Sequence, residues 1–222
     1  MSGFAGSPRT LRGALVTVPA TGSLAQAVVF QYNPDAVSRS LKPRAAPSEQ
    51  HVGPADAHRV WGAPVETITM SVELDATDQL EVVDPVAARS GIAPQLAALE
   101  LLLYPPSSLV VMNAALLQLG TIEILPAEGP LTLLVWGPGG AVPVRLDGLT
   151  ISEQAFSPSL SPLRASVDLS LQVLSYNDLP VSDPGHALFL AHQVVKEALA
   201  TQAGRVSVPM TTAATASGLA VG

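Results

Sequence analysis

The stretch LRASVDLSLQV, Leu163 to Val173, is apolar at every odd-numbered position, and it constrains the fold more than any other. A period of two is what a strand with one buried face requires, because successive side chains leave a sheet on opposite sides. ITMSVEL, Ile68 to Leu74, repeats the pattern, with Ile68, Met70, Val72 and Leu74 on one face and Thr69, Ser71 and Glu73 on the other. LTLLVWG (Leu131–Gly137) and AQAVVFQY (Ala25–Tyr32) are apolar on both faces. They read as central strands, or as strands whose second face meets a neighbour. VPVRLDGLTI changes parity: Val142, Val144 and Leu146 share one face, then Leu149 and Ile151 take it over. The switch falls at Gly148, as a β-bulge that re-aims the strand or as a turn at Asp147-Gly148.

Two helices interrupt this mainly β pattern. Ile92, Leu96, Leu99 and Leu103 recur at helical spacing around Pro94, and Tyr104-Pro105-Pro106 stops the element. Asp183-Pro184 supplies an N-cap and a first-turn proline for a second helix, over about 184–203 and ending near Gly204. Ser40–Pro54, with three prolines and few large apolar residues, reads as an exposed loop extending over about 40–58. In FQYNPDAVSRS, Phe30 to Ser40, Pro34 lacks an N–H and restrains Asn33 toward extended conformations, so a strand should end there. Val206 to Gly222, rich in Ala, Thr and Ser without periodicity, reads as a poorly ordered tail. The expected organisation is a β domain over 1–178, then the helix and tail over 179–222.

Composition narrows the partners. The chain carries 11 Lys and Arg against 18 Asp and Glu, a net charge of −7, which argues against nucleic acid, since phosphate binding needs clustered cations. Only 13% of residues are charged, where about a quarter is usual, so much of the surface is expected to be covered by other subunits. The charge is also uneven. Arg39, Lys42 and Arg44 lie in the basic N-terminal third, whereas Glu66 to Asp84 holds six acids and no base. Asp75, Asp78, Glu81 and Asp84, spaced by threes, form either a solvated acidic face or a contact for those cations on another copy.

No signal-peptide core appears in Met1–Thr10, and the apolar run Ile92–Leu119 is broken by Glu100, Pro105-Pro106 and Asn113. The expectation is cytoplasmic folding and assembly without direct membrane insertion.

Chemistry has no foothold in the pattern. There is no cysteine, and His51, His58, His186 and His192 show no zinc spacing. GPGG (Gly137–Gly140) lacks the Lys-Ser/Thr of a phosphate loop and reads as a hairpin turn. No G-x-S-x-G elbow and no calcium-loop pattern occur. Neither a catalytic residue, a metal nor a cofactor is expected.

Five segments, in order, resemble one family. FQYNP resembles the F-x-F-N-P signature of the tube-like and hub-adaptor proteins of contractile injection systems, which are phage-tail-like particles. ETITMSVELDATDQLE, GIAPQLAALELLLYP, LLVWGPGG and LTISEQAFSPSLSPLRASVDLSLQV resemble the elements that follow it, so the likeness spans about Leu11 to Val173. The motif residues are Phe30, Asn33, Pro34, Trp136, Gly137, Leu163, Arg164 and Ala165. The resemblance implies a tube-protein-like antiparallel β-barrel or sandwich with one inserted helix and a C-terminal helix. It also implies a homo-hexameric ring that connects the inner tube, or a tube-initiator ring, to the central spike, with the baseplate wedge as a further partner. Arg39, Lys42, Arg44, Asp75 and Asp78 are then the expected inter-subunit contacts. The LysM module of several relatives has no counterpart after Leu179. A cell-wall or carbohydrate-binding module is the second reading, and it requires aromatic platforms, for which Trp61 and Trp136 are the main candidates.

Overall fold

The computed structural model describes residues 12–18, 26–45, 58–77, 89–118, 120, 129–137 and 140–205. Seven strands form one antiparallel sheet: β1 (Ala14–Val18), β2 (Gln26–Val29), β3 (Val37–Lys42), β4 (Val65–Asp75), β5 (Leu131–Val135), β6 (Ala141–Phe156) and β7 (Pro162–Val173). Their order is β2-β1-β5-β6-β7-β4-β3. Three helices accompany them: α1 (Ala93–Glu100), α2 (Ser107–Gln118) and α3 (Pro184–Arg205). The protein is mainly β, as the alternation requires.

The two alternating segments lie side by side. Ile68, Met70, Val72 and Leu74 of β4 stand opposite Leu171, Leu169, Val167 and Ala165 of β7, and all eight are buried. β6 covers the other side of β7 and carries the parity switch as a bulge: Leu146 faces Leu171 and Gly148 faces Ser170, leaving Asp147 as the extra residue. The strand continues unbroken through Gly148, so the turn alternative falls away. The extra residue returns Leu149 and Ile151 to the side packed against the core.

The sheet curls. In a flat sheet β1 and β4, four strand spacings apart, would stand roughly 19 Å from each other. Yet Gln31 accepts the Asp75 N–H at the end of β4 (2.9 Å), and Asn33, two residues on, accepts the Gly13 N–H beside β1 (2.9 Å). One hydrophobic cluster accordingly holds Leu15 and Phe30 from one end of the ladder with Ile68 and Met70 from the other.

α1 docks on this roll through Ile92, Leu96 and Leu99. Gly91 makes the docking possible: its φ is +56°, and a Cβ there would lie 2.0 Å from the Pro162 carbonyl oxygen. The same carbonyl accepts the Ile92 N–H at 2.9 Å. α3 starts as its sequence predicts, with Asp183 Oδ1 accepting the Gly185 N–H (2.7 Å) and Pro184 in the first turn. Among the described residues no helix is long and apolar enough to cross a membrane.

Three expectations change. Ser40–Lys42 is not loop but the end of β3, because Ser40, Leu41 and Lys42 pair with Thr67, Glu66 and Val65. Residues 46–57, like the tail from 206, lie outside the described residues. A second inserted helix, α2, starts straight after Pro105-Pro106. Its apolar residues surround the helix without a period, which left no amphipathic signal to read. AQAVVFQY is no central strand, since β2 forms one edge of the sheet, with Val29 half-exposed.

Leu171, fully buried between β4 and β6, is the most central position of the alternation. Leu171→Ala is expected to lower unfolding stability by about 2–5 kcal/mol in urea titration, whereas removing the exposed Leu160 side chain should cost under about 0.5 kcal/mol.

Candidate assembly surface

The motif residues fall into two groups, the first of them around Gly13. Gly13 donates its N–H to Asn33 Oδ1 and accepts the Phe30 N–H at 2.8 Å. A Cβ on Gly13 would sit 2.6 Å from the Trp136 ring and 2.7 Å from the Phe30 ring, so both aromatics close directly over its Cα. Pro34 follows in the same segment, half-buried. Gly137 (φ +61°) turns the chain after Trp136, whose N–H donates to Gly140 O. Phe30, Asn33, Trp136 and Gly137, far apart in sequence, are thus brought together as a closure of the roll.

A second group lies where β4 and β7 pair. Ala165 is buried and Leu163 accepts the Ala76 N–H at 2.9 Å. Arg164, exposed, reaches across to Asp75 Oδ2 at 2.6 Å. The Thr77 hydroxyl and then its backbone N–H, followed by Arg164, hold the Asp75 carboxyl below its ordinary value. Asp75 in turn keeps the Arg164 guanidinium more firmly protonated. Since Gln31 bonds to Asp75 N–H and Asn33 to Gly13, residues 31–33 tie the two groups to each other.

The cations expected to reach other subunits have partners inside the chain. Arg39 donates to Glu66 through Nε (2.7 Å) and Nη2, and Lys196 of α3 donates to the other Glu66 oxygen at 3.1 Å. The Glu66 side chain is only 4% exposed. Burial opposes its ionisation, but the Arg39 hydrogen bond and the Lys196 charge outweigh that, and its pKa falls below the ordinary value. Arg44 donates to Asp178 (2.6 Å), to Ala63 O (2.8 Å) and to Ser175 Oγ (3.2 Å), which fastens the chain after β3 to the turn before α3. Burial raises the Asp178 pKa, yet the Ser175 hydroxyl and N–H and then Arg44 bring it down overall. Lys42 is exposed at the end of β3, and Asp78 lies outside the described residues.

The residues that sequence reasoning passed over are Gly13, Glu66 and Lys196. Glu66 had a legible signal: a carboxylate on the apolar parity of β4, in step with Ile68, Met70, Val72 and Leu74. Lys196 had none, because its partner is 130 residues away.

Chemistry remains sparse. Among the described residues no three His, Cys, Asp or Glu side chains are grouped to hold a metal ion. His186 and His192 do not pair; they flank an aromatic row with Tyr176 and Phe189. Trp136 is packed on the core, so it is not a free stacking platform.

What is open is apolar. Among the described strands, β2 and β3 end the ladder. α2 has no buried residue and exposes Val110, Val111, Met112, Leu116 and Leu117. From Leu101 to Ile122 the sequence has no charge at all. A scan against protein-family models finds no matching family, and a search of curated proteins finds no matching relative.

Two outcomes test the ion pairs. Arg39→Glu should destabilise the fold by ~3 kcal/mol in urea, near the low end for a broken buried pair because Arg39 itself is half-exposed, while Lys42→Glu should be silent. The three carboxylates with lowered pKa values contribute stability that is complete above their unfolded values, 4.5 for Glu66 and 3.8 for Asp75 and Asp178. That contribution is lost as pH falls through the lower folded values. Urea midpoints should therefore drop as pH falls below about 4.5, less steeply for Glu66→Gln than for the parent.

Proposed function

We propose that this chain is a structural subunit of a contractile injection system baseplate, forming a hexameric ring that joins the inner tube, or its first layer, to the central spike. The observation that carries the reading is α2, a twelve-residue helix with apolar side chains on all sides and none of them buried. A helix of this kind is stable in water only when something else covers it, and large exposed apolar patches mark interaction surfaces. Assembly supplies that cover. Two further facts support the reading. The strands that end the described ladder, β2 and β3, have edges that need pairing or protection. Three of the residues carrying the family resemblance, Phe30, Asn33 and Trp136, meet around Gly13, and the Gln31 contact with Asp75 links them to the group of Leu163, Arg164 and Ala165.

On this reading the chain is a mechanical part without an active site, and its partners are its own copies, the neighbouring tube ring, the spike and the wedge. The contacts would draw on α2 and the sheet edges more than on Arg39 and Arg44, which are engaged within the chain.

The test is co-production with the tube and spike proteins of a phage-tail-like particle, followed by light scattering and negative-stain imaging. Six-membered rings and retention in purified particles are expected. Val111→Glu with Leu117→Glu should abolish the rings while leaving the far-UV circular dichroism unchanged, since both side chains are exposed in the single subunit. Dispersed monomers together with absence from purified particles would overturn the proposal.

A further inference from the structure

The concave face of the rolled sheet does not close against α3. Between them lies a cavity of about 400 Å³, walled by Ile68, Leu134, Trp136 and Val142 on the sheet side and by Val195 and Leu199 on the helix. α3 is anchored at its N-terminal half, where Phe189 is buried, and its later turns span the gap with Lys196 reaching Glu66. Among the described residues, the charged and titratable groups that line the cavity are Arg39 from β3, Glu66 from β4, and His192 and Lys196 from α3; β5 and β6 contribute none.

Both Glu66 oxygens are occupied, Oε1 by Arg39 and Oε2 by Lys196. The two cations are not exhausted in return. Glu66 takes one of the three protons of Lys196, and Arg39 meets it through Nε and Nη2, which leaves Nη1. Their side chains are 38% and 46% exposed, so a ligand can approach them from outside. Two cations against one carboxylate leave the group one positive charge in excess at the edge of an apolar chamber.

We infer that this cavity binds a single-chain amphiphile with a carboxylate head, the head held by Arg39 and Lys196 and the chain lying between α3 and the sheet. An ammonium head would meet two cations already gathered on one carboxylate whose side chain is only 4% exposed, and would be repelled. A small bare anion would leave the apolar walls wet, whereas an alkyl chain removes them from water. The volume falls toward the lower end of the usual range for small-molecule pockets, about 300–1,000 Å³, which fits one chain and not two.

Trp136 lines the cavity and reports on it directly. With Trp61→Phe as background, decanoate below its micellar range should give a saturable, single-site change in Trp136 fluorescence, with decylamine at least tenfold weaker. Lys196→Gln should weaken decanoate at least tenfold and leave decanol unaffected. Leu199→Phe, which fills the chamber from a half-exposed helix position, should abolish binding of both. No saturable response to decanoate, equal affinity for decylamine, or undiminished binding in a folded Leu199→Phe variant would each overturn the inference. Should Lys196→Gln fail to fold, the contrast between decanoate and decylamine in the Trp61→Phe protein decides the question alone.

Discussion

Residues 30–36 join the two outermost strands of a seven-stranded sheet, and the rest of the structure depends on how that short span is held. β2 and β3 are consecutive in sequence yet stand at opposite ends of the ladder. The eight Cα steps from Val29 to Val37 reach roughly 29 Å at most, no more than the six spacings of a flat ladder, so any inward contact of the span draws the ends of the sheet toward each other. The span then makes its own contacts: Phe30 is buried over Gly13, Asn33 caps the Gly13 N–H, and Gln31 takes the Asp75 N–H. Gly13 is the pivot, because any side chain at that Cα would displace both Phe30 and Trp136. Curling the sheet is also what creates one continuous core, with Leu15, Phe30, Ile68 and Leu171 in a single cluster.

The charge pattern follows from the same geometry. A carboxylate on the inward face of β4 would be costly alone, since a buried unpaired charge must neutralise or find partners. Here the roll brings Arg39 from the adjacent edge strand and Lys196 from α3 to either oxygen of Glu66. Removing one partner leaves the other with the full desolvation cost. Arg39 and Arg44, which in sequence form part of a basic stripe, spend their charge on joining α3 and its preceding turn to the sheet.

The surface divides into a hydrated part and an apolar part. The alternation of β4 and β7 sends Thr69, Ser71, Ser166, Asp168 and Ser170 outward, which gives the sheet a hydrated outer face. By contrast, α2 and the outer face of α3 present Val111, Met112, Leu117, Leu190 and Val194 to solvent. Burying such side chains contributes about 1.5–3 kcal/mol each when a partner covers them fully. Exposed apolar helices on a chain with 13% charged residues are the features on which the proposed assembly role rests.

The sequence by itself determined the strands whose one face is buried, since a period of two is a local property of the backbone: β4 and β7 are where the alternation places them. It also determined the start of α3, through the Asp183-Pro184 cap, and the parity change at Gly148, though it left bulge and turn open until Ser170 was seen opposite Gly148. It left α2 unread because an apolar run without a period looks the same in a helix and a strand. Only the tertiary structure decided the partners of Arg39, Arg44 and Lys196, which lie 27, 134 and 130 residues from the groups they hold. The physical reason is range. Periodicity and capping act within a few residues, whereas a curled sheet brings together side chains whose separation along the chain carries no trace of their contact.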